Sequence, residues 1–298
     1  MEKYIEIITN SFIGYYNYLV ESLLHPSFQE GKLYTLYFYF LIILSLLVWS
    51  LEIILPWRKK QPVFRKGFWQ DAFYMFFNFF LFGLIGFAAI SEVGVNLWKD
   101  FFALFGIENM VAIKLDKLPI WIQFGILFIL YDLIQWTVHV LLHRIPWMWK
   151  FHKVHHSVTE MGFAAHLRFH WMESVFYKSA LFIILSFIGF GLDDLFFMHI
   201  FNITIGHLNH ANINMDYGLL KYILNNPRMH IWHHAKEMPR EHPYGMNFGI
   251  TLSIWDYLFG KAYIPNSGRD IDLGFEHIED YPETIGGQMI QPFKKEEN

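Results

Sequence analysis

Cysteine is absent from the 298-residue sequence. Without thiols, the chain can form no disulfide, no iron–sulfur cluster and no thiolate zinc site of its own. Charged residues make up only 17% of the chain, with 23 basic against 27 acidic side chains. Because there is no basic excess, nucleic acid is not an expected partner. The chain also lacks a G-x-G-x-x-G fingerprint, so no source of electrons is evident within it.

Long apolar runs dominate what is present, since 54% of the residues are hydrophobic. The segments Leu33–Leu51 and Ala72–Ser91 contain no charged residue, and Leu118–Leu142 is apolar apart from Asp132 and His139. Each is close to the roughly 20 residues that a helix needs to cross the hydrocarbon core. The sequence therefore predicts three membrane spans, and the two polar residues of the third should face protein or water.

A fourth apolar region is divided. Ser179–Leu192 and Leu195–Gly206 are arms of 14 and 12 residues on either side of the pair Asp193-Asp194. Arms of this length suit a helical hairpin, and whether it crosses the membrane fully stays open.

Basic residues predict the orientation of the chain, because loops rich in lysine and arginine stay in the cytoplasm. The loop after the first span has five of them, whereas the three lysines of the next loop are balanced by three acids. The first loop is therefore expected inside. The third span then returns the chain to the cytoplasm, which places residues 143–168 and everything from about His210 onward on that side. The basic residues of the first loop are Arg58, Lys59, Lys60, Arg65 and Lys66.

No strand-like alternation persists, so the predicted fold class is all-α: an integral-membrane helical bundle with a histidine-rich cytoplasmic cap. Residues 1–265 are expected to form one membrane domain, in which residues 1–31 are an amphipathic lead-in without the pattern of a signal peptide. Residues 266–298 are expected to be a polar tail without chemistry.

Histidine is concentrated in one part of the chain, with thirteen of sixteen between His139 and His234. Imidazole is a neutral nitrogen ligand near pH 7, so this density indicates metal binding. The spacing His-x-x-His-His occurs at 152–156 and again at 230–234, and His139 and His143 form an i, i+4 pair. At about 100° per residue, rings spaced in this way share one helical face.

Ten of these rings are predicted metal ligands. One ion uses about four to six nitrogen ligands, so the number of rings predicts two metals in a shared site. The predicted ligands are His139, His143, His152, His155, His156, His207, His210, His230, His233 and His234.

Four residues are candidates for a supporting role. His170, four residues after His166, stands between Arg168 and Glu173, and these three suit the orientation of ligand imidazoles through the second ring nitrogen. A ligand role for His170 stays open. Asp132 shares a helical face with His139, and its partner is either a ligand N–H or a tryptophan or tyrosine of a neighbouring helix.

The remaining histidines favour simpler interpretations. His199 is expected to be a buried hydrogen-bonding residue, and His25, His242 and His277 are expected to be solvated or capping residues.

The histidine pattern resembles that of the fatty acid hydroxylase/sterol desaturase superfamily of membrane di-iron enzymes. The resemblance covers Tyr131–Gly260 and includes Tyr-Asp-Leu-Ile-Gln-Trp at 131–136, His-Ala-Asn at 210–212 and Trp-Asp-Tyr-Leu-Phe-Gly at 255–260. Two departures stand out: Trp171 occupies a position where many members have proline, and His207 and His210 are closer in sequence than in some relatives.

The resemblance implies a four-helix membrane stalk under a cytoplasmic cap that holds two iron ions. Such enzymes use O2 and two electrons to hydroxylate or desaturate an unactivated C–H bond of a lipid, here a sterol, fatty acyl, carotenoid or alkylglycerol. Zinc binds the same nitrogen ligands, so the sequence does not fix the metal.

The electrons are expected from an external reductase, ferredoxin or cytochrome. Lys150, Lys153 and Lys236 near the histidine clusters could steer an acidic donor or contact phospholipid headgroups.

Two other functions are compatible with clustered histidines. A haem protein with bis-histidine ligation would need single rings facing each other from different helices, whereas these rings occur in chelating groups. A non-catalytic metal-binding or transport protein would place its ligands near the middle of the bilayer, whereas the richest clusters lie outside the apolar runs.

Overall fold

The computed structural model describes residues 2–29, 32–82, 88–107, 111, 113–115, 117–188 and 195–294. Within these ranges the regular elements are helices, together with three isolated antiparallel bridges. The all-α prediction is therefore confirmed for the described residues. The helices are α1 (Glu2–Leu24), α2 (Tyr37–Ile54), α3 (Phe68–Phe76), α4 (Ala88–Ala103), α5 (Ile120–Arg144), α6 (Pro146–His156), α7 (Trp171–Ser186), α8 (Leu195–His210), α9 (Pro227–His233), α10 (Ile254–Leu258) and α11 (Ile285–Ile290).

Two helical segments are long and apolar enough to cross a membrane, judged by length and composition. They are Tyr34–Ile54, with 21 residues, and Ile120–Arg144, with 25 residues. They coincide with the first and third predicted spans. The second predicted span includes residues 83–87, and the turn of the predicted hairpin includes residues 189–194. Both of these stretches lie outside the described residues.

Two short helices that begin with proline carry the His-x-x-His-His motifs. Pro146 starts α6 and Pro227 starts α9, where the fixed φ of proline suits the first turn and its missing N–H costs no hydrogen bond. The Asn226 side chain caps α9 by accepting a hydrogen bond from Met229 N at 3.0 Å. Both motifs lie at the carboxyl ends of their helices, so their rings reach the same interior region.

The described residues form three apolar core clusters, and two of them position the histidine-bearing helices. One joins α5, α6 and α7 through residues such as Leu127, Leu142 and Leu185, all nearly inaccessible to solvent. The other packs α2 against the turn at Phe163–Leu167 and against Ile213. Together they position the ends of α5, α6 and α8 around one polar interior.

The C-terminal segment, expected to be a polar tail, packs on this region. Gly274 N donates to His234 O at 3.0 Å, and His170 Nε2 donates to Met289 O at 3.0 Å. Gln288 is buried, and its side-chain oxygen accepts hydrogen bonds from Gln70 and Tyr74 at 2.9 and 3.1 Å. Residues 266–294 therefore contact the histidine-bearing part of the chain through hydrogen bonds. The polar composition of this segment does not predict these contacts.

Gly206 allows a close contact between α8 and the His166 ring. A Cβ atom at this position would lie 2.2 Å from two atoms of that ring, whereas a Cβ at Gly125 of α5 would meet nothing within 4 Å. We expect Gly206→Ala to lower the free energy of unfolding by about 1–3 kcal/mol through overpacking. Gly125→Ala should leave it unchanged or raise it by about 0.5–1 kcal/mol. Thermal unfolding of the purified chain in detergent measures both, and equal midpoints for the two variants would contradict the contact.

Candidate metal centre

Nine buried imidazoles converge in two groups. Within each group, the possible ligand atoms all lie within 4.8 Å of one another. The first group combines two rings from α5, two from α6 and one from α9. The second combines one ring from α6, one from α8 and two from the end of α9. The first group is His139, His143, His152, His156 and His233, and the second group is His155, His210, His230 and His234.

Each His-x-x-His-His motif is divided between the two groups. From α6, the i, i+4 pair His152 and His156 enters the first group while His155 enters the second. From α9, the i, i+4 pair His230 and His234 enters the second group while His233 enters the first. The motif of α6 thus gives two rings to the first group and one to the second, and the motif of α9 gives one and two. The rings of His156 and His234 stack with centroids 4.5 Å apart and connect the two groups.

Nitrogen atoms within each group are as close as ligands of one metal ion. In the first group, Nε2 of His139 lies 3.1 Å from Nε2 of His152. In the second group, Nε2 of His210 lies 3.2 Å from that of His155 and 2.9 Å from that of His230. Two nitrogens that each lie about 2.0–2.1 Å from one ion, at a right angle, are roughly 3 Å apart. The spacing therefore fits coordination.

Backbone carbonyls fix which ring nitrogen carries the proton. His155 Nδ1 donates to Arg168 O at 3.2 Å, and His210 Nδ1 donates to Gly206 O at 2.8 Å. A carbonyl oxygen only accepts, so the Nε2 atoms of these two neutral rings both present lone pairs. Those lone pairs face each other across 3.2 Å, an arrangement that a cation between them would stabilise.

The same tautomer is imposed on two rings of the first group. His139 Nδ1 donates to Phe248 O at 2.7 Å, and His233 Nδ1 donates to Met246 O at 2.8 Å. His233 Nε2 is buried and has no hydrogen-bond partner among the described residues. A metal would supply the missing interaction, because buried polar atoms are normally satisfied.

Burial keeps these rings neutral. It lowers the pKa of His155 to about 3, and it lowers the pKa values of His152, His156, His230, His233 and His234 well below the usual range of histidine. Neighbouring histidines add to the effect, since each charged ring would repel the next. The imidazoles are therefore deprotonated at neutral pH, as metal ligands must be.

Glu173 supports a ligand directly. Its Oε2 atom lies 2.7 Å from His152 Nδ1, and its Oε1 atom accepts a hydrogen bond from His170 N at 3.3 Å. Burial raises the pKa of the Glu173 carboxyl above its usual range, while the bond from His170 N lowers it. The contact holds His152 with its Nε2 atom toward the first group.

Of the other two candidates for a supporting role, Arg168 contacts a ligand ring and His170 does not. The Arg168 carbonyl orients His155, while its guanidinium binds Asp71 Oδ1 at 3.3 Å and Gln70 Oε1 at 2.9 Å. Asp71 also pairs with Arg65, and both of its partners are buried arginines. His170 caps α7 by accepting from Met172 N at 3.1 Å, so neither of its ring nitrogens faces the two groups.

The structure does not bring His207 into either group. His207 Nε2 lies 3.0 Å from Ser45 Oγ, and Nδ1 lies 3.1 Å from Phe163 O. Both ring nitrogens therefore have partners within the protein, and His207 ties α8 to α2. His166 packs on the rings of His207 and His210, with centroids 5.2 and 5.1 Å away, and also lies outside both groups.

Asp132 binds the tryptophan side chain that was one of its two expected partners. Its carboxylate accepts hydrogen bonds from Trp255 Nε1 at 2.8 Å and from the backbone N–H groups of Thr251 and Leu252 at 3.3 Å. Asp132 thus anchors the loop that follows Phe248 instead of a ligand ring.

Sequence reasoning missed Asp256, which anchors the same loop. Its carboxylate accepts from Trp136 Nε1 at 2.9 Å, Phe248 N at 2.9 Å and Gly249 N at 2.8 Å. Burial raises the pKa of Asp256 to about 7. The loop it holds provides the Phe248 carbonyl that orients His139. The signal available in the sequence was a single carboxylate within the apolar stretch 252–259.

Comparisons with known proteins agree with this geometry. Residues 124–261, which contain both groups, match the family model described as fatty acid hydroxylase. These residues are therefore a fatty acid hydroxylase domain, and the resemblance inferred from the histidine pattern is confirmed. No solved structure matches the chain at a significant level.

Three similar curated proteins are named as a lipid hydroxylase and two alkylglycerol monooxygenases. Ornithine lipid hydroxylase from Rhizobium tropici is 29% identical over 180 residues, which cover 60% of this chain and 53% of that protein. Alkylglycerol monooxygenase from Xenopus tropicalis is 30% identical over 141 residues, covering 44% of this chain and 28% of that protein. The homologue from Danio rerio is 30% identical over 150 residues, covering 49% and 31%. The chain thus spans about half the length of the first relative and less of the others.

The division into two groups predicts separable metal losses. We expect His233→Ala to reduce the metal content of the purified chain by depleting the first group, and His234→Ala to do so by depleting the second. Each variant should retain about half of the metal of the unchanged chain, as measured by elemental analysis. His277→Ala, which alters an exposed ring, is the control and should retain all of it. Full metal content in both of the first two variants would refute the assignment.

Removing the carboxylate beside His152 should weaken metal binding without removing a ligand. Loss of such a partner typically lowers metal affinity by about 10–100-fold, so Glu173→Ala should lose metal at lower chelator concentrations than the unchanged chain. Glu276→Ala, at a side chain that is 90% exposed, is the matched control. A chelator titration followed by elemental analysis provides the measurement, and identical curves for both variants would show that Glu173 has no role in binding.

Proposed function

We propose that this chain is a membrane-bound di-iron oxygenase that hydroxylates an unactivated C–H bond of a lipid with O2 and two externally supplied electrons. The observation that carries the proposal is the convergence of nine neutral, buried imidazoles in two groups. In the second group, carbonyls hold the Nδ1 protons of His155 and His210, so the lone pairs on their Nε2 atoms face each other. The names of the relatives, a lipid hydroxylase and alkylglycerol monooxygenases, favour hydroxylation over desaturation.

Iron fits the ligand set, since imidazole nitrogen suits iron as well as zinc, and zinc has no redox chemistry. We assign five imidazoles to one ion and four to the other, as the two groups divide them. When bound, iron supplies the activation of O2 that an aliphatic C–H bond requires and that acid–base side chains cannot provide.

The residues of this chain prepare the site. Carbonyls at Phe248, Met246, Arg168 and Gly206 hold the proton on Nδ1 of four imidazoles and so keep each Nε2 free. The buried Phe248 ring packs on His139, His143 and His233 with centroids 5.1–5.8 Å away, and it helps to exclude water from the first group.

The position of the site favours a lipid substrate. His139 and His143 lie at the carboxyl end of α5, one of the two segments suited to crossing a membrane. We propose that the chain crosses the membrane several times and that the histidine groups lie on the cytoplasmic side, where the basic loop at 58–66 is expected. A substrate held in the bilayer would reach such a site without leaving the lipid.

Neither alternative from the sequence gains support. Ligand atoms that all lie within 4.8 Å of one another within each group leave no space for a porphyrin between opposing rings. A transport site would need access for the ion, whereas all nine rings are buried.

The donor of electrons is proposed to be a separate reductase, ferredoxin or cytochrome. Of the three lysines expected near its docking site, Lys153 lies over the Phe275 ring at 5.5 Å and Lys236 pairs with Glu279 at 3.3 Å. Both therefore border the C-terminal segment that packs on the histidine region.

Product analysis tests the proposal. A host that expresses the chain and is supplied with candidate sterol, acyl, carotenoid and alkylglycerol lipids should form a hydroxylated product that carries labelled oxygen from isotopic O2. Mass spectrometry identifies the lipid and the position, and His233→Ala should abolish the product. A product that has lost hydrogen without gaining oxygen would show desaturation. Absence of any oxidised lipid, with iron bound and a donor present, would contradict the proposal.

A further inference from the structure

Six large apolar side chains form an exposed patch on one side of the histidine region. Leu219 is 85% exposed and Leu258 is 65% exposed, and exposed apolar residues that adjoin one another mark an interaction surface. The apolar patch consists of Leu219, Leu220, Tyr222, Ile223, Leu258 and Phe259.

The two segments of the apolar patch are joined to each other. Ser253 N donates to Ile223 O at 2.9 Å, and the rings of Tyr222 and Tyr257 lie 5.1 Å apart. The patch is therefore one built surface and not two unrelated loops.

The apolar patch is continuous with a candidate membrane span. The Phe259 ring stacks on Trp136 of α5 with centroids 4.9 Å apart. Trp136 lies eight residues before Arg144, the last residue of α5, a distance of roughly 12 Å along the helix. The patch therefore lies beside the final turns of the span and not beyond its end.

Two lysines give the border of the apolar patch a net positive charge. Lys221, Asp256 and Lys261 are the charged residues of the segments 217–224 and 254–261, and the adjoining Asp216 is paired with Arg228 at 2.9 Å, so the unpaired exposed charge beside the patch comes from the two lysines. Asp256 is fully buried, while the two lysines are partly exposed, and Lys221 Nζ lies 5.3 Å from the centre of the Tyr222 ring. Exposed apolar residues with tyrosine and lysine at the rim are typical of a surface that rests in a bilayer interface with anionic lipids.

We propose that the apolar patch is a membrane-contact surface that inserts into the headgroup–acyl boundary of an anionic bilayer. The inference rests on the membrane location in the proposed function and adds a second contact beyond the spans. The same loop links the patch to the metal centre, because Asp256 holds Phe248 N and the Phe248 carbonyl orients His139. Insertion would therefore fix the histidine groups beside the lipid from which the substrate comes.

The absence of cysteine allows a direct test on the full chain. Single variants Leu219→Cys and Leu258→Cys, both at mostly exposed positions, are labelled with a nitroxide. They are then reconstituted in phosphatidylcholine vesicles with and without phosphatidylglycerol. Collision with O2, which concentrates in lipid, and with a water-soluble nickel complex reports the depth of each label. We expect both labels to be accessible to O2 and protected from nickel, with stronger protection when phosphatidylglycerol is present.

Two control positions separate this inference from the proposed function. Leu47→Cys, 56% exposed on α2, should report the bilayer interior, and Glu276→Cys should report water. Nickel-accessible labels at 219 and 258 with a lipid-embedded label at 47 would overturn the patch proposal alone. Labels at 219 and 258 that are protected from both reagents would indicate a protein contact, such as a second copy, and would also overturn it. A water-accessible label at 47 would instead contradict the membrane location on which the proposed function relies.

Discussion

Unshared lone pairs in a dry interior are the constraint on which the rest of this structure depends. Backbone carbonyls accept hydrogen bonds from Nδ1 of His155 and His210. The Nε2 atoms of these two rings therefore carry no proton, and they face each other at 3.2 Å. Protonation of one ring would place a hydrogen bond between the two nitrogens, but burial lowers the pKa of His155 to about 3 and so disfavours the protonated ring. The remaining way to stabilise such an interior is a cation held by several nitrogens at once.

Contacts to Nδ1, the ring nitrogen that faces away from the groups, fix the orientation of several of these imidazoles. Glu173 holds His152, and the loop after Met246 holds His139 and His233 through its carbonyls. That loop is itself held by two buried carboxylates, Asp132 and Asp256, which bind its N–H groups. Substitutions outside the ligand set can therefore disturb the site, as second partners of metal ligands commonly do.

The histidine groups lie next to the apolar surfaces of the protein. The groups lie at the end of α5, the C-terminal segment bonds to His234 through Gly274 N, and the apolar patch continues the surface of α5. A fatty acid hydroxylase domain at residues 124–261 thus places its buried polar interior next to surfaces suited to a bilayer. Under the proposed function, this arrangement would let an insoluble substrate approach a site that is buried from water.

The sequence by itself determined the helical class, two apolar segments long enough to cross a membrane and the family, because helical periodicity and run length are local properties. It also placed His139 with His143 and His152 with His156, since an i, i+4 spacing puts two rings on one face. Only the tertiary structure decided that each His-x-x-His-His motif divides between two groups, that His207 binds Ser45, and that Asp256 supports the site. These outcomes depend on carbonyls and side chains far away in the chain, which no local pattern encodes.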